Sequence, residues 1–422
     1  MGSDTPVLDT RSRAVELLQK LSLREKIGQL VQVNGDQWGE EGALESKVAR
    51  GEVGSVINEV NPDRLRELQR IACEESPQGI PLLIGRDVIH GFKTVLPIPL
   101  GMAATWNESL VEKGAELSAV EAVTQGVNWT FSPMLDVSRD PRWGRIAESF
   151  GEDTFLTAKM AVAMVRGYQD NATHPMMSCL KHFAGYGASE SGRDYNTTNI
   201  PVIALKNVYL PPFEACVRAG AQSVMTSFSD LNGVPATGNE WLLRDVLRDD
   251  MGFTGFVVSD WESIRQLCVH GVAEDDSEAT AQAVLAGVNM DMVSGVYESC
   301  LEELVEAGIV SEERIDELVG EILAAKLATE IGRYDFAIQV SKIASYEHRF
   351  HNKYNYPIIS TPKYINGRKI PEPAFILSII RQESEFDLSA NSWAGAKGLM
   401  QLMRSEEHTS ELQSPCNLVC RL

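Results

Sequence analysis

Positive charge, paired cysteines and long apolar runs are all scarce in this 422-residue chain, and each scarcity removes a class of function. Lysine and arginine number 38 against 59 aspartates and glutamates, a formal net charge of −21. A face built to hold nucleic acid or an anionic membrane surface needs the opposite sign, so neither is expected as a partner. A neutral or polar small molecule fits better. No run of eighteen apolar residues exists, so no helix is expected to span a bilayer. The start, Met1-Gly2-Ser3-Asp4-Thr5-Pro6, lacks a basic segment leading into an apolar one, so no export signal is read there. The expectation is a cytoplasmic protein or one whose signal has been removed. The seven cysteines (Cys73, Cys179, Cys216, Cys268, Cys300, Cys416, Cys420) are odd in number and scattered, with no Cys-x-x-Cys pair. Free core thiols are expected rather than a disulfide framework or a zinc site. No metal and no cofactor is implied.

The composition, 44% hydrophobic and 23% charged, is that of a globular protein with an ordinary core, and the length allows two or three domains. Over the first three quarters, short β-rich runs alternate with amphipathic helical patterns. The runs are Leu30–Val33, Ser55–Ile57, Leu82–Ile84, Asn128–Phe131, Ser178–Leu180, Ser223–Thr226, Phe256–Ser259 and Asn289–Met292. Helical spacing of apolar residues covers Pro62–Cys73, Leu110–Ala122, Thr154–Arg166, Leu242–Asp249, Thr280–Ala286 and a closing Glu312–Ala325. Eight such repeats predict an α/β fold, a (β/α)₈ TIM-type barrel, with a doubly wound open sheet as the alternative. The absence of a Gly-x-Gly-x-x-Gly turn after the first run counts against that alternative.

Polar residues fall where a barrel would use them. Asp87 follows the third run, Asp136 and the Arg139–Arg145 loop the fourth, Lys181 and His182 the fifth, Ser227 the sixth and Asp260 the seventh. In a barrel these positions converge on the carboxyl-end face, where active sites sit. Each alone could be a helix cap; five together are harder to read that way.

The segments Ile84-Gly85-Arg86-Asp87-Val88-Ile89-His90-Gly91, Ser132 to Arg145, Lys181-His182-Phe183-Ala184-Gly185, Met225 to Pro235 and Gly255 to Trp261 resemble glycoside hydrolase family 3, in collinear order from about Leu21 to Lys326. The bacterial periplasmic β-glucosidase subgroup is the most similar, and with it a periplasmic or secreted origin is implied. The resemblance implies hydrolysis of a terminal β-linked glucoside by double displacement, with Asp260 as nucleophile. The substrate would be a small β-glycoside or oligosaccharide bound by Asp87, Arg145, Lys181, His182, Arg193, Met225 and Trp261. Such an enzyme needs an ionised carboxylate and, about 5–5.5 Å away, a carboxylic acid for the leaving oxygen. Cations beside Asp260 would keep it ionised. Alternatives are a β-N-acetylglucosaminidase or β-xylosidase of the same family, or a sugar-binding barrel without turnover.

Two departures stand out. Many members have tyrosine where this chain has Phe228. In two-domain members the acid/base glutamate lies on a sandwich domain after the barrel, which this chain is expected to lack. Single-domain members use a His–Asp dyad after strand five, and here Gly185 to Tyr195 holds no histidine. Glu190 and Asp194 are weak substitutes.

Composition breaks near 327 and 403 divide the chain into a lead-in (1–20), the barrel (21–327), a helical piece (328–403) and a tail (404–422). Ile380-Arg381-Gln382-Glu383-Ser384 with Asn391 to Gln401 resembles the soluble lytic transglycosylases, which implies Glu383 as a general acid. That fold is expected to be incomplete and its cleft inactive. Arg404 to Ser414 resembles a translated short-read sequencing adapter and has no hydrophobic period. Unrelated pieces in one chain read as an artificial join; a bifunctional wall-degrading enzyme is the alternative.

Overall fold

The computed structural model describes residues 13–35, 42–171 and 174–330, together with the backbone of 364–365 and 368–369. The chain divides into two compact units, Met1–Thr329 and Glu330–Leu422. The Glu383 segment and the expected tail lie outside the described residues. In the second unit a short antiparallel pair, Tyr364–Ile365 with Arg368–Lys369, is described.

In the first unit eight parallel strands form one sheet: β1 (Val31–Asn34), β2 (Ser55–Ile57), β3 (Leu83–Arg86), β4 (Trp129–Thr130), β5 (Met177–Phe183), β6 (Ser223–Thr226), β9 (Phe256–Val258) and β10 (Asp291–Met292). A small antiparallel hairpin, β7 (Asp230–Leu231) and β8 (Val234–Pro235), branches off after β6. Neighbours run β10-β1-β2-β3-β4-β5-β6-β9. A parallel bridge between Val258 and Met290 joins the two ends, so the sheet curls into a nearly closed barrel. Every residue of β1, β2, β5, β6 and β9 is buried. That is why these runs are rich in apolar residues: a parallel sheet is covered on both faces.

The outer helices begin where side chains can take up the free amides of a first turn. Ser22 and Glu25 form a capping box before Leu23–Gln29. Asn61 caps Pro62–Glu74, Asn107 caps Glu108–Val123, Asp153 caps Thr154–Gln169 and Asp275 caps Asp276–Ala286. Two helices differ from the sequence expectation. Trp241–Asp250 is wound as a π-helix, and the last helix runs from Glu312 to Glu330, past the break expected at 327.

The amino-terminal end of the barrel is closed by a buried cation. Lys326 Nζ donates to Gln29 Oε1 at 2.8 Å, Gly54 O at 3.0 Å and Pro81 O at 3.1 Å, on the segments that enter β1, β2 and β3. With that end plugged, the opposite face carries the cavity.

Candidate active site

At the carboxyl-end face a cavity of about 230 Å³ is lined by Ile57, Asn58, Asp87, Phe131, Arg145, Lys181, His182, Met225, Phe228, Asp260, Trp261 and Met292. These residues come from the ends of seven strands or the loops after them, so the barrel itself sets their spacing. Gly85 on β3 makes room for one wall. A Cβ there would lie 2.8 Å from Phe131 Cζ, inside van der Waals contact.

Asp87 follows β3 directly, and the next residue is fixed from two sides. Val88 N donates to Thr130 Oγ1 at 3.1 Å, and Tyr168 Oη donates to Val88 O at 2.7 Å. Lys181 and His182 lie within β5, not beyond it as the sequence reading expected. The register shifts between Leu180 and Phe183, and Met134 bridges to Lys181, so pairing continues through a stretch whose polar residues hid it. Lys181 Nζ donates to Asp87 Oδ1 at 2.6 Å and lies 4.0 Å from Glu148 Oε2. Arg145 holds the same glutamate with two bonds, 2.7 and 3.0 Å, and its guanidinium sits 5.7 Å from the centre of the Tyr186 ring. Burial opposes the charge on Lys181, but Asp87 and Glu148 outweigh it and raise its pKa.

Asp260 sits two residues past β9, on a turn tied to β10. Met292 N donates to Ser259 Oγ at 2.8 Å, and Glu262 N donates to Met292 O at 3.0 Å. Trp261 N donates to Asp260 Oδ1 at 2.7 Å. Asp260 Oδ2 accepts no hydrogen bond among the described residues and lies 3.5 Å from His182 Nε2. Burial pushes the Asp260 carboxyl up to about 7, against the pull of the Trp261 amide, Lys181 and Arg145. A carboxylate that is desolvated, held rigid, left with one oxygen free of hydrogen bonds and set in the wall of a cavity can attack an electrophilic carbon.

Behind His182 stands Asp136, which the sequence placed at this end of the barrel without a role. Its Oδ2 lies 2.7 Å from His182 Nδ1 and accepts from the His182 backbone amide at 3.1 Å. The Asp136 side chain is fully buried, and burial raises its pKa to about 7. Burial, then Arg145 and Lys181, hold the His182 imidazole well below its usual range, so the ring is neutral near pH 7.

Of the residues singled out in the sequence, Asp87, Arg145, Lys181, His182, Met225 and Trp261 line the same cavity as Asp260. Arg193 does not. It is exposed, as is its neighbour Asp194. Asp194 Oδ1 accepts from Tyr186 Oη at 2.5 Å and Trp143 Nε1 at 3.1 Å, which commits it to holding the loop. Glu190 accepts from Asn199 Nδ2 at 2.5 Å, and neither carboxylate lines the cavity. The sequence reading passed over Glu148, Asn58, Phe131 and Met292. For Glu148 a signal was present, its i, i+3 spacing from Arg145 on one turn. Among the described residues no group of three or more His, Cys, Asp or Glu side chains is placed to hold a metal ion, and no helix is long and apolar enough to cross a membrane.

Residues 22–325 match the glycosyl hydrolase family 3 N-terminal domain, and residues 363–417 match the transglycosylase SLT domain, a match that crosses the break expected at 403. The periplasmic beta-glucosidase of Salmonella typhimurium is 41% identical over 314 residues, covering 74% of this chain and 41% of that protein. A beta-xylosidase of Formosa agariphila is 35% identical over 308 residues, covering 67% of this chain and 42% of its own length. The crystal structure of a beta-glucosidase from Listeria innocua in complex with glucose superposes with a TM-score of 0.72 at 39% identity, over 76% of this chain and 47% of that one. The chain spans less than half the length of these relatives.

Proposed function

The chain belongs to glycosyl hydrolase family 3 through residues 22–325, and on that premise we propose that its barrel attacks the anomeric carbon of a terminal β-linked glucoside with Asp260. The observation that carries this reading is the bare Oδ2 of Asp260 at the wall of a cavity that also presents Asp87, Lys181 and His182. Asp87 and Lys181, already ion-paired, would accept from and donate to sugar hydroxyls on the side away from Asp260. Charge-assisted bonds of that kind orient a polar ligand strongly. Trp261 would wall one face of the ring. Arg145 and Lys181 favour the ionised form of Asp260, and double displacement follows from an attacking carboxylate.

Two carboxyls line the cavity among the described residues, Asp260 and Asp87, and the second is paired with Lys181. Neither is free to protonate a departing alkoxide. We therefore propose that this barrel forms its glycosyl ester only with leaving groups that need no proton. Dinitrophenyl glucoside should release its phenol in a burst, while cellobiose should be cleaved at least about 10²-fold more slowly, the usual scale of a lost general acid. Equal slow turnover of both would overturn this reading.

A β-xylosidase reading has one point in its favour, the similar Formosa beta-xylosidase. Parallel assays with xyloside and glucoside decide between them. By likeness to the Salmonella protein we place its origin in the periplasm. For residues 363–417 the proposed acid is Glu383, tested by whether Glu383→Gln changes any lysis of peptidoglycan.

A further inference from the structure

Three buried side chains stand in a row behind the sugar cavity: Asp260 Oδ2, then His182 Nε2 at 3.5 Å, then His182 Nδ1 with Asp136 Oδ2 at 2.7 Å. The outer two are carboxyls, and the middle one is an imidazole with one nitrogen toward each. We propose that Asp136 is a positioning residue for the nucleophile: through the His182 ring it accepts the proton that Asp260 must give up in order to attack. This rests on the reading of Asp260 given above.

A neutral imidazole carries one N–H and one bare lone pair. If Nδ1 holds the proton and donates to an ionised Asp136, the bare Nε2 faces Asp260 Oδ2, and a hydrogen bond forms there only if Asp260 is protonated. If Nε2 holds the proton, it donates to an ionised Asp260, and Asp136 must be protonated to donate to Nδ1. Both arrangements place two protons on three groups and carry one negative charge. They interconvert with the total charge unchanged, the negative charge passing from Asp136 to Asp260. The Asp260 O–H bond breaks as Nε2–H forms, and Nδ1–H breaks as Asp136 O–H forms. Burial raises the pKa of both carboxyls, so either end can hold the proton. The 3.5 Å gap is long for a transfer, as such gaps often are before substrate is bound.

The other charged and titratable groups packed around the ring act on the row as a whole. Lys181 lies beside it on β5, and Arg145 and Glu148 lie on the loop after β4. Tyr186 packs T-shaped against the imidazole with ring centres 5.3 Å apart and bonds to Asp194, and Asp87 pairs with Lys181. None of them bonds to a His182 ring nitrogen, so the tautomer is left to Asp136 and Asp260.

Asp136→Asn separates this from a plain packing role. The His182 backbone amide donates to the Oδ2 position at 3.1 Å, so an asparagine must keep its carbonyl oxygen there. That oxygen can only accept from Nδ1–H. The ring is then locked, Nε2 stays bare, and Asp260 loses the arrangement in which it is ionised and hydrogen-bonded. The test has two arms on the full-length chain. The first is the ¹⁵N spectrum of the His182 ring, assigned by its loss in His182→Gln. The parent should show both nitrogens at shifts between the protonated and bare extremes near neutral pH. Asp136→Asn should show Nδ1 protonated and Nε2 bare throughout. Identical His182 spectra in the two chains would overturn the proposal. The second arm is the pH dependence of inactivation by dinitrophenyl 2-fluoro-glucoside, whose acid limb Asp136→Asn should raise by about one pH unit, the scale of losing one hydrogen bond to the charged form. A limb that stays in place while the rate falls at every pH would leave Asp136 a packing residue. If the parent is not inactivated at any pH, the glycosidase reading fails, and the ¹⁵N arm still judges the shared proton.

Discussion

Lys181 Nζ and Asp87 Oδ1 lie 2.6 Å apart, but the two partners differ sharply in exposure: the lysine side chain is 4% exposed and the aspartate 48%. The pair is a buried cation held by a carboxylate that still reaches solvent, and so still reaches a ligand.

Asp87→Ala should therefore weaken sugar binding in two ways, by losing an acceptor and by leaving Lys181 with Glu148 at 4.0 Å as its nearest carboxylate. Loss of a hydrogen bond to a charged group costs about 1.5–3 kcal/mol, or about 10- to 100-fold in affinity. Isothermal titration with glucose or a glucose-shaped inhibitor measures it. Unchanged affinity would remove Asp87 from the sugar pocket.

The raised pKa of Asp260 makes a prediction about stability. Its folded value of about 7 lies above the unfolded value of about 3.9, so the folded state holds the proton more tightly. The stabilising contribution is fully present below pH ~4 and is lost as pH rises through ~7. Above that the folded chain pays to bury a charge. Asp260→Asn removes this cost, so it should be more stable than the parent by about 1–3 kcal/mol at pH 8, with the difference vanishing near pH 4. Urea midpoints at the two pH values test it; a variant less stable at pH 8 contradicts it.

At the other end of the barrel, Lys326→Ala should cost about 2–5 kcal/mol, because it strands the buried Gln29 Oε1 and the part-buried Pro81 O and leaves Gly54 O with the Leu83 amide alone. The lysine is far from the cavity, so any molecules that remain folded should bind sugar as the parent does. A loss below 1 kcal/mol in chemical denaturation would mean that water replaces the amine easily.

How much of this was legible beforehand differs from residue to residue. All eight barrel strands were visible as short β-rich runs, because burial on both faces favours apolar and β-branched side chains. Asp87 and Asp260 were visible because a strand end is a local feature. His182 and Asp136 were not visible as a pair. They lie 46 residues apart and meet only because Met134, on the segment after β4, bridges to Lys181 in β5. Lys181 and His182 sit in β5 although neither favours a strand, since the barrel pairing overrides local preference. Arg193 shows the opposite failure. Its loop geometry depends on Asp194 bonding to Trp143 and Tyr186, side-chain contacts that no periodicity announces.

The composition break near 327 and the change of family between 325 and 363 carry a prediction about the gene. If the two segments were joined artificially, amplification from source DNA across the codons for Lys326 to Thr329 should give no product of continuous frame. A continuous native product would establish a natural two-part protein and favour a bifunctional glycan-degrading enzyme.

The most direct test of the central claim is covalent trapping. The full-length chain is incubated with dinitrophenyl 2-fluoro-glucoside, digested and mapped by mass spectrometry. The account predicts one fluoroglucosyl ester, on the peptide that carries Asp260, and none in Asp260→Asn. A label on any other residue would contradict it.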